Sequence, residues 1–118
     1  MSTLAFMKKK LPLEVVRLEV DRIATIIGNV VRPYAIYVFG SAAEDSMSDQ
    51  SDIDLLIILT SPLEINPARK AIAKIRPFSE FPLDLVWMTR DDFVRKSAIG
   101  GLAQIVAEDG RLVFGSKP

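Results

Sequence analysis

The sequence predicts an α/β protein of the α+β two-layer type, in which a short mixed β-sheet packs with helices. Three observations predict it: a stripe of apolar residues with helical spacing, two short aliphatic runs typical of buried strands, and a length of 118 residues. Domains usually contain ~100–150 residues, and no internal repeat or Gly/Ser-rich linker divides the chain. We therefore predict one domain over residues 1–118, with 1–10 and 116–118 loosely ordered and elements in the order α, β, β, α, β, α, α, β.

The first predicted element is a helix from about Pro12 to Gly28. Its apolar residues recur every three or four positions, which places them on one face: Leu13, Val16, Val20, Ile23, Ile27 and Val30. Tyr34 to Phe39 is then a continuous apolar run that stops at Gly40-Ser41, as is typical of a strand buried on both faces. Residues 43–51 are polar and acidic, so they form a loop or a short helical turn.

A second strand and a helix follow. Ile53 to Leu59 is β-branched and aliphatic, and it carries Asp52 and Asp54 at its start. Ser61 to Glu64 and Asn66-Pro67 are two competing start signals for a helix that ends near Ile75. Pro77 prevents that helix from continuing.

The last third of the chain predicts strand, helix, helix and strand. Pro82 to Met88 is the third strand, and Thr89 caps a short helix that extends to about Ala98. After Gly100-Gly101 comes a helix from Leu102 to Glu108, closed by Gly110 as a left-handed C-terminal cap. The last strand, Arg111 to Phe114, is predicted at a sheet edge.

Composition excludes several chemistries and partners. Without Cys or His the chain has no disulfide, zinc finger, thiol nucleophile or His-based triad. Fifteen Lys and Arg balance fifteen Asp and Glu, which argues against nucleic-acid or anionic-membrane binding. The longest aliphatic run, Leu55 to Leu59, is far shorter than the ~20 residues of a spanning helix. Because Lys8 to Lys10 follow the first apolar residues, the N-terminus does not resemble a secretory signal, and we expect a cytoplasmic protein.

Three aspartates are candidate metal ligands. Asp52 and Asp54 are two positions apart, so both side chains leave one face of a strand with Cα atoms ~6.5–7 Å apart. Asp84 interrupts an otherwise apolar strand, where an unpaired buried carboxylate is costly. If the two strands are neighbours, the three carboxylates converge and a cation can neutralise them. Oxygen-only ligation selects Mg²⁺ or Mn²⁺.

Structural roles are the alternative for each aspartate. A strand-leading Asp is often only a solvated strand end, and a single Asp within a strand is often an N-cap or half of an ion pair. The turn Gly40-Ser41 favours function, because glycine lets a ligand approach the backbone and Ser41 offers a hydroxyl and an amide to phosphate oxygens. Ser41 as a covalent nucleophile is a rival interpretation that lacks a His to activate the hydroxyl.

Gly40-Ser41, Asp52-Ile53-Asp54 and Asp84 resemble the signature of the DNA polymerase beta type nucleotidyltransferase superfamily, and specifically its minimal nucleotidyltransferase (MNT) domains. The end of the chain, Ala107 to Phe114, is similar to the terminal helix and strand of that family. The resemblance implies a polymerase beta-like fold in which Gly40 and Ser41 bind the nucleotide. It also implies that Asp52 and Asp54 are catalytic ligands of two Mg²⁺ ions, with Asp84 completing the metal site near the attacking hydroxyl.

The resemblance further implies a Mg²⁺-dependent transfer of a nucleoside monophosphate, AMP from ATP, to a hydroxyl acceptor. MNT domains often occur with a HEPN-domain protein in toxin and antitoxin pairs, so the expected acceptor is a partner protein of that kind. Two alternatives stay open: an inactive fold that acts as a binding antitoxin, and an enzyme that modifies a small molecule in the manner of aminoglycoside nucleotidyltransferases.

One feature departs from the family pattern. Members commonly continue the turn with basic residues and a glycine, whereas this chain has Ala42-Ala43-Glu44-Asp45. We expect arginines at positions 42 and 44 to tighten ATP binding. The basic residues elsewhere are interpreted as solvated charges: Arg69, Lys70 and Lys74 on the middle helix, and Lys8 to Lys10.

The chain is also expected to associate with a partner protein, with itself, or with both. Its mean hydropathy of +0.24 and hydrophobic content of 49% are high for a small domain with little interior. The segment Ile99 to Val106 combines small residues with apolar ones and is the predicted interface, although a helix that packs on the sheet explains it equally well.

Overall fold

The computed structural model describes residues 9–75 and 79–118, and it confirms the predicted order of elements. The helices and strands are α1 (Leu13–Val31), β1 (Ala35–Phe39), β2 (Ile53–Leu59), α2 (Ile65–Ile75), β3 (Leu83–Thr89), α3 (Arg90–Ser97), α4 (Gly101–Asp109) and β4 (Arg111–Gly115). Short 3-10 turns cover Gly40–Ala42 and Pro62–Glu64. Pro77, the predicted stop for α2, lies outside the described residues.

The four strands form one mixed sheet in the order β3-β2-β1-β4. β1 is antiparallel to both β2 and β4, whereas β2 and β3 are parallel. The C-terminal end of β1 therefore lies beside the N-terminal ends of β2 and β3. This is where the sequence places Gly40-Ser41 and the three aspartates, so the topology confirms that the strands of Asp54 and Asp84 are neighbours.

Both faces of the sheet are covered, which refines the predicted two layers. β1 is apolar throughout, and β2 is apolar at every position after Asp54. Alternate residues of both strands are therefore buried on opposite sides of the sheet. One cluster joins the sheet to α1 and α2 through buried residues such as Ile23 and Ile72. The other joins it to α3 and α4 through Phe93, Ala103 and Val106. Among the described residues, no helix combines the length and the apolar character needed to cross a bilayer.

Two glycines have roles other than those predicted. α1 continues past Gly28 to Val31 and ends at Arg32 in a left-handed conformation, and a side chain at Gly28 would overlap the ring of Phe114. Gly110 is extended, with φ of −76° and ψ of 163°, so its predicted left-handed cap is wrong. It is needed for space, because a Cβ there would lie 2.6 Å from the Val106 carbonyl oxygen.

Of the two competing start signals of the middle helix, Ser61 is used as a cap, whereas Asn66 lies inside the helix and does not cap it. The Ser61 side chain accepts a hydrogen bond from the Leu63 amide and caps the 3-10 turn Pro62–Glu64. α2 then begins directly at Ile65, with Pro67 inside its first turn, where its missing N–H is tolerated.

Candidate active site

The turn after β1 brings the main chain against the Asp54 carboxylate. Gly40 has a φ of +68°, a left-handed conformation that glycine adopts without strain. Its carbonyl oxygen accepts hydrogen bonds from the amides of Ala43 and Glu44, each at 3.1 Å, which closes the turn. A Cβ at Gly40 would lie 2.5 Å from Asp54 Oδ2. Only glycine therefore allows both the turn and this close approach.

The register of the sheet brings Asp54 and Asp84 side by side. Asp54 pairs with Asp84 across the parallel β2–β3 ladder and with Phe39 across the antiparallel β1–β2 ladder. Side chains at paired positions of neighbouring strands lie on the same face, ~4.5–5.5 Å apart at Cβ. Asp52 directly precedes the first residue of β2, and its charge acts on the Asp54 carboxyl. The three predicted carboxylates are thus at one corner of the sheet.

Electrostatics of Asp54 show that these carboxylates interact. Burial raises the pKa of the Asp54 carboxyl above its ordinary value, and the charges of Asp84 and then Asp52 raise it further. Asp54 is half-buried, while Asp52 and Asp84 are exposed. The expectation that Asp84 is buried is wrong, because β3 is an edge strand and the start of its face is open to solvent.

A polar cleft of about 600 Å³ lies beside the turn. Among the described residues, its lining contains one basic residue, one acidic residue and four serines: Lys10, Asp45, Ser41, Ser46, Ser48 and Ser51. Its volume falls within the ~300–1,000 Å³ of small-molecule sites. The cleft is lined by Ser41, which follows Gly40, and by Ser51, which directly precedes Asp52.

Lys10 lines this cleft, and hydrogen bonds of its two neighbours, Lys9 and Leu11, hold the N-terminal segment against the loop. The Leu11 amide donates to the Met47 carbonyl oxygen at 2.9 Å, and the Asp49 amide donates to the Lys9 carbonyl oxygen at 3.0 Å. Lys10 Nζ lies 3.5 Å from Asp45 Oδ2. Of the predicted loosely ordered end, residues 1–8 lie outside the described part of the chain, and the backbone of Lys9 is hydrogen-bonded to the amide and the side chain of Asp49.

The family model of the nucleotidyltransferase domain matches residues 20–113. The chain belongs to this family. Among solved structures, a protein from Sulfolobus solfataricus assigned as a nucleotidyltransferase superposes with a TM-score of 0.58 at 20% identity, over 87% of this chain and 86% of that chain. A toxin-antitoxin crystallised with AMP-PNP superposes with a TM-score of 0.52 at 18% identity, over 82% of this chain and 74% of that one. No curated protein sequence matches.

Nucleotidyltransferase domains generally use a divalent metal, and carboxylate oxygens are the ligands that such hard cations prefer. In the described part of the chain, the ion pairs leave out Asp52, Asp54 and Asp84, so no basic side chain balances them. No group of three carboxylates among the described residues is already arranged around one point as a metal would require. Burial and then the charges of Asp84 and Asp52 raise the pKa of Asp54, and a bound cation would offset both effects by favouring the ionised carboxylates.

Lys10 is a residue of the cleft that the sequence does not single out, and it precedes the residues matched by the family model. Its three-lysine cluster is visible, but nothing in local spacing connects it to a turn thirty residues further on. The connection is made by pairing of Lys10 with Ser48 in an isolated antiparallel bridge.

Ala42 is not open to the nucleotide side of the turn as the sequence suggests, because it is only 2% exposed and belongs to the core beneath the turn. An arginine at position 42 would therefore bury its charge, and only the exposed Glu44 remains a site for that substitution.

The raised pKa of Asp54 predicts a pH dependence of stability in the metal-free nucleotidyltransferase domain. The folded protein holds this proton more tightly than the unfolded chain, so the free energy of unfolding falls as pH rises from the ordinary Asp value of 3.8 through the raised value. Asp54→Asn removes that contribution and should be more stable than wild type at neutral pH. Urea unfolding of both proteins between about pH 4 and pH 7, with a metal chelator present, measures it. If the free energies of unfolding of wild type and Asp54→Asn change with pH in the same way, the raised pKa of Asp54 is contradicted.

Proposed function

We propose that this domain transfers AMP from ATP, with Mg²⁺ or Mn²⁺, to a hydroxyl group on a partner protein. One observation carries the proposal: the glycine turn at Gly40 contacts Asp54, which is paired with Asp84 and interacts with the charge of Asp52. A backbone turn that admits a phosphate and a group of carboxylates that admits metal ions are the two parts a nucleotidyl transfer needs.

The proposed roles follow from position. Asp52, Asp54 and Asp84 would hold two divalent ions, and metal bound there would neutralise the carboxylates and polarise the α-phosphoryl group. Gly40 leaves the backbone open to the phosphates, and Ser41 offers its hydroxyl and amide in the cleft. Asp84 is the proposed acceptor of the hydroxyl proton. The acceptor oxygen then bonds to the α-phosphorus, the α–β phosphoanhydride bond breaks, and pyrophosphate leaves.

Exposure of Asp84 supports a large acceptor. The side chain lies on edge strand β3 and is open to solvent, so a hydroxyl carried on another protein can reach it. The structural neighbour that is a toxin-antitoxin crystallised with AMP-PNP supports the same combination of a nucleotide and a protein partner. A HEPN-domain protein is the partner that we propose, on the resemblance of the sequence to MNT domains.

The α3–α4 surface supports association with that partner. Ala103 and Val106 pack on the sheet, whereas Val94, Ile99 and Ile105 are at least half exposed. The segment Ile99 to Val106 thus combines both predicted roles, since one side faces the core and the other presents apolar area. Exposed apolar residues close together on a small domain are typical of protein contact surfaces.

The test is transfer of label from α-labelled ATP in the presence of Mg²⁺, with the domain co-expressed with the protein encoded beside it. We expect a labelled partner protein and release of pyrophosphate, both lost with a metal chelator. The acidic turn segment 40–54, which lacks Lys and Arg, favours one other candidate: a domain that binds the partner without transferring a nucleotide. A stable complex that never acquires label would support that candidate. Label found only on added aminoglycosides would support a small-molecule acceptor.

A further inference from the structure

The acidic turn segment raises the question of which cation meets the phosphates of a nucleotide. Residues 40–54 contain five carboxylates and no basic side chain: Glu44, Asp45, Asp49, Asp52 and Asp54. Two divalent ions at the sheet corner would carry four positive charges against the three negative charges of Asp52, Asp54 and Asp84, which leaves too little positive charge for a triphosphate. Among the described residues, Lys10 is the basic residue that lines the cleft beside Ser41.

We propose that Lys10 binds the β- and γ-phosphates of the nucleotide, and that Asp45 pairs with Lys10 when the cleft holds no nucleotide. The inference rests on the proposed function, because it takes the nucleotide to be a triphosphate bound beside Ser41. A lysine ammonium is a compact charge that commonly binds phosphates. The serines of the cleft add hydroxyl donors to phosphate oxygens.

Backbone pairing fixes where Lys10 points. The bonds from Leu11 to Met47 and from Asp49 to Lys9 flank the bridge between Lys10 and Ser48. In an antiparallel ladder this pattern marks a pair whose side chains lie close together on the same side. Lys10 and Ser48 both line the cleft accordingly, and Lys9, one residue earlier, does not.

The partner of Lys10 is held loosely enough to be exchanged. Lys10 and Asp45 have side chains that are 65% and 44% exposed, at an Nζ–Oδ2 distance of 3.5 Å. Exposed ion pairs of this kind contribute little to stability, so a phosphate can displace the carboxylate. Asp45 lines the cleft and occupies a left-handed conformation with a φ of 54°. The next residue, Ser46, donates its amide hydrogen bond to the Ser41 carbonyl oxygen.

The first experiment is calorimetric titration of Mg²⁺-ATP and of AMP into the full chain and its lysine variants. We expect Lys10→Met to weaken Mg²⁺-ATP binding roughly tenfold, as for the loss of one charge-assisted contact. Lys10→Arg should retain most of the affinity. AMP binding should change little in either variant, because AMP lacks the outer phosphates. Lys9→Met is the matched control and should stay within about twofold of wild type, since it removes the same charge outside the cleft.

Asp45→Asn is an independent measurement in the opposite direction. Asparagine tolerates the left-handed backbone of this position, so the turn is preserved. Without the competing carboxylate we expect Mg²⁺-ATP to bind about threefold more tightly, and the gain should vanish in the Lys10→Met background because the two residues act on each other.

The outcomes separate this inference from the proposed function. If wild type binds Mg²⁺-ATP and Lys10→Met binds it equally well, the inference is overturned and the function stands. Equal losses from Lys9→Met and Lys10→Met would also overturn it, because they would show a general effect of charge. If wild type binds no Mg²⁺-ATP, the proposed function fails and the inference fails with it.

Discussion

Asp54→Asn is expected to lower Mg²⁺-dependent nucleotidyl transfer by at least ~100-fold, because loss of groups that only support a metal ligand already costs roughly 10–100-fold. Asp54 is central among the carboxylates: it pairs with Asp84, contacts the Gly40 turn and has a pKa raised by burial and then by Asp84 and Asp52. The fold should remain intact, since the variant removes a half-buried charge. Label transfer and thermal melting with and without millimolar Mg²⁺ measure both effects.

A matched control is Glu44→Gln, which removes one negative charge from the same acidic segment but lies outside the sheet corner and is exposed. Metal bound to the folded state raises the melting temperature, so wild type and the control should be stabilised by Mg²⁺ and Asp54→Asn should not. If Mg²⁺ shifts all three proteins equally, the carboxylates of the corner are not a metal site.

Much of the fold follows from local sequence because the signals are local. Each of these signals depends on residues within one short segment. They are the apolar stripe of α1, the fully apolar strand β1 and the helix break at Gly100-Gly101. The sequence predicts that Asp54 and Asp84 lie close together only if their strands are neighbours in the sheet. The parallel β2–β3 pairing that fulfils it follows from an intervening helix, as parallel strands require.

The missed features depend on contacts between distant segments. Gly28 and Gly110 resemble helix terminators in sequence, yet each is needed for space. At Gly28 the ring of Phe114 packs against the helix, and at Gly110 a Cβ would meet the Val106 carbonyl oxygen first and then the Val38 carbonyl oxygen of β1. The apolar neighbours of Asp84 in sequence suggest a buried side chain, but β3 is an edge strand of the sheet and leaves this side chain exposed to solvent. Lys10 reaches the cleft through a bridge to Ser48, a pairing that no local pattern encodes.

Gly40→Ala is expected to remove most Mg²⁺-dependent activity, roughly 100-fold, as misplacement of a metal ligand does. The new Cβ would stand 2.5 Å from Asp54 Oδ2, and the Asp54 side chain must rotate away from the corner to relieve the overlap. The positive φ of 68° adds a backbone cost of about 1–2 kcal/mol to the free energy of unfolding. Label transfer, Mg²⁺-dependent melting and urea unfolding report these effects separately.

Gly101→Ala separates backbone strain from the overlap with Asp54. Gly101 has nearly the same φ, 72°, but a Cβ there would meet nothing within 4 Å. It should therefore lose a similar about 1–2 kcal/mol of stability while keeping its nucleotidyl transfer and its response to Mg²⁺. If Gly101→Ala loses activity as severely as Gly40→Ala, the cause is general destabilisation and the contact with Asp54 has no special role.

Combining Gly40→Ala with Asp54→Asn tests whether the turn acts through the carboxylate. If both changes act by removing the same oxygen from the metal site, their effects on Mg²⁺ affinity should not add, and the double variant should respond to Mg²⁺ as Asp54→Asn does alone. Additive losses would mean that Gly40 contributes independently, through backbone that approaches the nucleotide itself. In that case Gly40→Ala should also weaken ATP binding measured without metal, which the shared-oxygen explanation does not predict. The same titration therefore decides whether glycine at this turn mainly places Asp54 or mainly admits the phosphates.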